Sequence, residues 1–268
     1  MLPDAASAVP LLGAHLDDDD PLSAAKERGA DLVQLFLGDP QGWKGPVARP
    51  EATLLADHGV GLVVHAPYVI NVATSNNRIR VPSRKLLAAH AQAAADAGAR
   101  ALVVHGGHVL AGDEPEVGYA NWRKTLERME HPLPVLIENT AGGDRAMARR
   151  LESLARLWDA FEGLPDSQQP GLCLDTCHAH AGGEELEDLV ERVLGITGRI
   201  DLVHCNGSRD AFDSGRDRHA NLASSEIDPA LLVGVVAAAG APVIVETPGG
   251  AAGQSADLAL LREALGTD

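Results

Sequence analysis

Asp175 and His178 stand three residues apart at the end of an apolar run, within the stretch GLCLDTCHAHAGG at 171–183. A strand end that turns into a loop there aims a carboxylate and an imidazole at one cavity. The same stretch offers Cys173, Cys177 and His180, so thiols, imidazoles and a carboxylate compete as ligands. Five other apolar runs end comparably, in His65, His105, Glu138, His204 and Glu246. A single buried histidine often does no more than hydrogen-bond a backbone carbonyl. Convergence changes that reading, because burying so many His, Asp and Glu side chains together is strongly unfavourable unless cations or hydrogen bonds satisfy them. The mixture implies metal, and imidazole with carboxylate suits zinc, manganese or iron better than calcium or a thiolate-rich structural zinc site.

Asp217-Arg218-His219 adds to the set. Alternate residues of an extended segment face the same way, so Asp217 and His219 form a further ligand pair while Arg218 faces the other side. Five His, two Asp and two Glu are then too many for one tetrahedral ion and enough for two or three ions sharing a carboxylate. Glu138, whose strand lies mid-sequence among the ligand-bearing strands, is the expected bridge.

What must position these residues is a series of strand and helix pairs. The strands are expected at 9–14, 31–37, 61–65, 101–105, 134–138, 171–175, 201–204 and 242–246. Helices are expected at 22–28, 50–58, 82–97, 116–130, 145–161, 184–194, 229–239 and 255–265. Asp20 is an expected N-cap before Pro21, and the acidic run 17–20 complements a helix N-terminus. Near-continuous apolar strands alternating with helices indicate an α/β protein with a parallel sheet covered on both faces. Eight pairs with no spare segment favour a TIM (β/α)8 barrel, a single domain over 1–268 with its metal site at the C-terminal face of the strands.

The formal charge of −16 argues against a nonspecific nucleic-acid coat. It does not exclude a nucleic-acid enzyme, because divalent cations would reverse the local field at a carboxylate-lined cleft. Cys173, Cys177 and Cys205 contain no CxxC pair, fit a reducing cytosol and read as small buried hydrophobes. With no basic segment ahead of a long apolar one at the N-terminus and no run long enough for a membrane span, a soluble cytoplasmic protein, monomeric and without membrane association, is expected.

Eight segments in order, GAHLDDDDPL, HAPYVINVAT, LVVHGGH, VLIENTAGG, LCLDTCHAHAGG, LVHCN, DRHANL and VIVETP, resemble bacterial endonuclease IV, the zinc-dependent apurinic/apyrimidinic endonuclease family, over nearly the whole chain. The resemblance implies a TIM barrel with three divalent metal ions, zinc above all, with manganese or iron as options at one or more sites. It assigns His65, His105 and Glu138 to the first ion, with Glu138 bridging to a second held also by Asp175, His204 and Glu246. His178, Asp217 and His219 would hold the third. The implied partner is double-stranded DNA containing abasic sites, and the implied reaction is hydrolysis of the phosphodiester 5′ to the lesion by metal-assisted in-line phosphoryl transfer, with removal of 3′-blocking groups as a related activity. Glu138 and Glu246 would be catalytic, Glu246 by orienting the nucleophile or taking its proton. Tyr68, Val69, Gln41, Arg216 and Arg218 are the implied DNA contacts, against the plainer readings that Tyr68 packs the barrel rim and the arginines are merely solvated.

Three departures from the family pattern stand out. Gly207 replaces the aspartate of the usual His-x-Asn-Asp motif, which would weaken support around the metal. Ala223, Ser224 and Ser225 replace a Gly-Glu-Gly turn. Gln41, Gly42 and Trp43 stand where Arg-Gln-Trp is usual, removing one side chain that probes the base stack. Two other readings compete: a metal-dependent sugar isomerase or epimerase, which leaves Asp217 and His219 unexplained, and a damage-binding protein that no longer cleaves.

Overall fold

Branched aliphatic residues fill the expected strands. In the computed structural model, which describes residues 10–266, eight of them close into a parallel barrel. These are β1 (Leu12–His15), β2 (Leu32–Phe36), β3 (Gly61–His65), β4 (Leu102–His105), β5 (Val135–Glu138), β6 (Gly171–Asp175) and β7 (Leu202–His204). The eighth, β10 (Val243–Val245), follows an antiparallel hairpin of β8 (Gly207–Ser208) and β9 (His219–Ala220) and closes the ring by pairing with both β7 and β1. The expected beginning of the first strand at Val9 lies outside the described residues.

Alternation along each strand divides its side chains between two cores. Outward residues such as Val33, Leu35, Val64, Val104 and Ile137 pack under the helices, whereas Leu32, Val63, Val103, Leu136, Cys173, Leu202 and Ile244 fill the barrel interior. Continuing the inward set by one alternation toward the strand C-termini reaches His65, His105, Glu138, Asp175, His204 and Glu246. The pleat that packs the core therefore also aims the polar residues at one rim.

The covering helices are α1 (Pro21–Arg28), α2 (Pro50–Asp57), α3 (Asn77–Asp96), α4 (Pro115–Leu126), α5 (Leu151–Asp159), α6 (Thr176–Gly182), α7 (Leu189–Thr197), α8 (Pro229–Ala239) and α9 (Gly250–Leu265). Asp20 caps α1 by accepting from the Ser23 N–H, as expected. Several boundaries differ from the sequence reading. Helix α3 begins at Asn77, capped by the Asn76 side chain, and carries Pro82 inside it. Residues 145–150 are not helical, and α5 starts at Leu151, whose N–H is taken by the Glu184 carboxylate at 3.0 Å. The expected helix at 184–194 starts only at Leu189, and the chain after β6 first forms α6, ended by Gly183 at φ 88°. Among the described residues, no helix is long and apolar enough to cross a membrane.

Candidate metal centre

Glu138, at the end of β5, is completely buried and organises the rim. Its Oε2 lies 3.0 Å from His65 Nε2 and 3.3 Å from His105 Nε2. Its Oε1 faces the opposite way, 3.0 Å from His204 Nδ1 and 3.3 Å from His178 Nδ1. One carboxylate thus presents an oxygen to each of two groups, the disposition a bridging ligand needs.

Among the described residues, five donor groups lie close enough to share an ion; two include Cys173 or Cys177, and the three built only of imidazole and carboxylate are His65, His105 and Glu138; Glu138, Asp175, His204 and Glu246; and His178, Asp217 and His219. They contain every metal residue expected from the sequence. Asp175 and His178 fall into different sets, although the segment joining them is helix α6 and not a loop. Asp175 is the N-cap, its Oδ1 accepting from the His178 N–H at 2.7 Å, while Oδ2 lies 3.9 Å from His219 Nε2 and 4.0 Å from His204 Nδ1.

The imidazoles are oriented by what their other nitrogens meet. His65 Nδ1 donates to the Ala66 carbonyl at 2.7 Å, His178 Nδ1 to that of Asn139 at 2.9 Å and His219 Nδ1 to that of Glu246 at 3.2 Å. Each therefore turns its Nε2 inward, the arrangement that fixes tautomer and direction in metal-binding histidines. His204 is reversed, with Nε2 against Gln34 Oε1 at 2.9 Å and Nδ1 facing Glu138, Glu246 and Asp175.

The electrostatics fit cations. Burial disfavours charge here, yet His178 is held well above the usual imidazole range, Asp175, Asp217 and Glu138 outweighing its desolvation. Burial likewise opposes the charge on His219, but the Asp217 carboxylate beside it raises it to about 9. Glu246 is drawn down to about 2 against its desolvation, chiefly by His204. Protons on the imidazoles thus do what metal ions would do, neutralising carboxylates crowded together. His219 Nε2 is buried without a hydrogen bond of acceptable geometry, though Asp217 Oδ1 is 3.0 Å away. A cation bound by both would take the place of the proton that His219 and Asp217 now share.

The thiols take no comparable part. Burial pushes Cys173 and Cys177 up to about 12, keeping them neutral, and all three cysteines are buried. Cys173 sulfur approaches Glu138 and His204, but the side chain belongs to the apolar barrel interior.

The hairpin of β8 and β9 supplies Asp217 and His219 of the third set, whose His178 comes from α6. Arg218 turns away from Asp217 and His219, as alternation requires, and pairs with Asp210 through Nε at 2.7 Å. Arg216 reaches the same carboxylate at 3.4 Å, so both arginines are partnered while remaining 68% and 56% exposed for Arg216 and Arg218, respectively. Tyr68 is half-exposed and stacks on His105 at 5.3 Å between ring centroids. It lines a cavity of about 650 Å³ with His15, Phe36, His219 and Glu246. It also lines one of about 540 Å³ with Trp43, Val69, His105 and Asp217. Gln41 is exposed in the loop after β2, its N–H bound to Asp39.

Next to Gly207, the ligands are supported by Asn206, its amide nitrogen 2.7 Å from Asp175 Oδ2 and 3.3 Å from Glu246 Oε2, its oxygen accepting from the Glu246 N–H at 2.7 Å. Gln34 was not singled out by sequence, because it stands inside an apolar run; His15 ends β1 much as the ligands end their strands, yet was not placed in the set.

Residues 22–264 match the family model described as a xylose isomerase-like TIM barrel. The chain is 55% identical to a probable endonuclease 4 of Mycobacterium tuberculosis, over 96% of this chain and 100% of the relative. It is 54% identical to one of Mycobacterium leprae, over 94% and 98% respectively. Endonuclease IV from Thermus thermophilus superposes with a TM-score of 0.79 at 28% identity, covering 97% of this chain and 100% of that one. A D-tagatose 3-epimerase-like protein, at 19% identity and a TM-score of 0.76, shares the fold. The family model and these relatives span nearly the whole barrel, and the chain belongs to the endonuclease IV family.

Proposed function

We propose that this protein is a metal-dependent DNA repair endonuclease that hydrolyses the phosphodiester 5′ to abasic sites and removes 3′-blocking groups, using three divalent ions, with zinc the expected metal. The observation that supports the reading is the division of the rim into three imidazole–carboxylate ligand sets, two of which share Glu138. An isomerase would leave Asp217 and His219, on their own hairpin beyond the barrel strands, without a task. The intact donor sets likewise speak against a protein that only binds damage.

His65, His105 and Glu138 would hold the first ion; Glu138, Asp175, His204 and Glu246 the second; His178, Asp217 and His219 the third. Bound there, the ions would supply a nucleophile at neutral pH and neutralise the phosphate and the leaving 3′-oxygen. Glu246, drawn down to about 2 by its neighbours, stays ionised and can orient the attacking water or accept its proton. Tyr68 and Val69 line the cavity on the third-set side, where a flipped abasic sugar would sit, and a nucleotide without its stacking partner costs less to extrude. Gln41 from the β2 loop and Arg216 and Arg218 from the hairpin would meet the duplex, the arginines offering exposed N–H groups to phosphate beside Asp210.

A synthetic duplex with one abasic site tests this directly. Cleavage on the 5′ side should require metal, vanish on chelation and return with zinc. Glu138→Gln should lower kcat by at least roughly 10²-fold, since it removes a ligand shared by two sets. A zinc-loaded protein that leaves the duplex intact would refute the reading.

A further inference from the structure

Gln34 lies one alternation below the rim on β2, wholly buried and in register with Val63 of the neighbouring β3, a residue of the apolar barrel interior. An amide in such a place is costly unless its hydrogen-bonding groups are used. Its Nε2 donates to Glu246 Oε1 at 2.6 Å and stands 3.1 Å from His15 Nδ1, while its Oε1 is 2.9 Å from His204 Nε2.

The direction of these bonds follows from chemistry. An ionised carboxylate only accepts, so the amide must turn its NH2 to Glu246. Its carbonyl then faces His204, and a carbonyl only accepts, so His204 must carry a proton on Nε2. That leaves Nδ1 toward Glu138 Oε1 at 3.0 Å, Glu246 Oε2 at 3.5 Å and Asp175 Oδ2 at 4.0 Å. His65, His178 and His219 are oriented by backbone carbonyls, which no substitution of a partner side chain removes. His204 depends on a side chain.

We propose that Gln34 is a positioning residue of the reaction, fixing the tautomer and ring direction of His204 and one oxygen of Glu246 so that the central ligand set is arranged before the cation and DNA arrive. The inference rests on the metal-dependent nuclease reading. Its role is specific to one set of the three: Gln34 touches two ligands of the central set and none of the third.

The test compares wild type with Gln34→Leu and Gln34→Met, which keep bulk and lose both the donor and the acceptor. Zinc affinity is read by competition with a chromophoric chelator, and steady-state cleavage of the abasic duplex is measured alongside. One ion should be held about 10- to 100-fold more weakly in both variants, the other two unchanged. Cleavage at limiting zinc should lose kcat by a similar factor, with KM nearly constant. Far-UV circular dichroism of the zinc-free proteins checks the barrel, and Gln34→Met, the more adaptable side chain, serves if Gln34→Leu does not fold. Three ions bound with wild-type affinity in the variants, or an equal weakening of all three, would overturn the role for Gln34 alone. Wild-type protein that takes up no zinc would overturn it together with the nuclease reading.

Discussion

Gly207 and Ser225, two separate departures when read along the chain, meet in the structure. A Cβ at 207 would lie 2.6 Å from Ser225 Cβ and 2.9 Å from the Ala220 carbonyl, so no larger residue fits while Ser225 is there. Ser225 needs no glycine freedom, since its backbone is extended at φ −85° and ψ 155°. Its hydroxyl accepts from the N–H groups of Ser208 and Ile227, both at 2.9 Å. Gly207→Ala should therefore destabilise the protein by about 1–3 kcal/mol as overpacking does. The cost should fall in a Ser225→Gly background without vanishing, because the Ala220 carbonyl stays. Urea unfolding of the four proteins of this cycle measures the coupling, expected at about 0.5 kcal/mol or more, and equal costs in both backgrounds would show the pair to be independent. Residues like these mark what sequence could and could not show. Eight of the nine candidate ligands were legible because each ends a strand or alternates with a neighbour that faces away, and His178 because it stands three residues after Asp175. Gln34 was not, because one amide within an apolar strand has no spacing signal and its partners come from β1, β7 and the end of β10.

At the scale of elements, the strands were legible almost to the residue, while the helices on the C-terminal side were not. Thr176 to Gly182 is rich in small residues that read as loop, yet the Asp175 cap holds a short helix there and orients a ligand by the same hydrogen bond. Residues 145–150 have helical composition, but their chain turns over the rim, with the Met147 N–H bound to the Gly107 carbonyl. Helix α3 carries a different feature. His90 is buried on it with neither ring nitrogen hydrogen-bonded, and desolvation lowers its pKa from 6.5 to about 4. Between those values the unfolded chain binds a proton that the folded one refuses, so stability contributed by the neutral ring is present above pH 6.5 and falls as pH drops through this window. Relative to His90→Leu, wild type should lose about 2 kcal/mol between pH 8 and pH 5. Urea unfolding of the zinc-free proteins at both values checks this, and a constant difference between them would show that His90 takes up its proton in the folded state.

The whole molecule carries a formal charge of −16 and is proposed to act on a polyanion. That conflict is resolved only at the rim. Glu138, Asp175, Asp217 and Glu246 place four carboxylates in the ligand sets, and three divalent ions would set six positive charges against them. The face that meets phosphate would then be locally positive on a negative barrel. Metal should consequently govern DNA binding as well as cleavage, in contrast to an enzyme whose affinity comes from a lysine-rich surface. A duplex carrying an abasic analogue with a phosphorothioate at the scissile position allows binding to be read while cleavage is slowed. By fluorescence anisotropy in about 50 mM salt, the zinc-loaded protein should bind it at least roughly 10-fold more tightly than the chelated protein. The gap should narrow toward about 300 mM salt, because screening weakens the attraction of the ions and the repulsion of the bare carboxylates alike. If the two forms bind with equal affinity at low salt, the duplex is held by contacts away from the ligand sets, and the exposed arginines at 216 and 218 become the first residues to substitute.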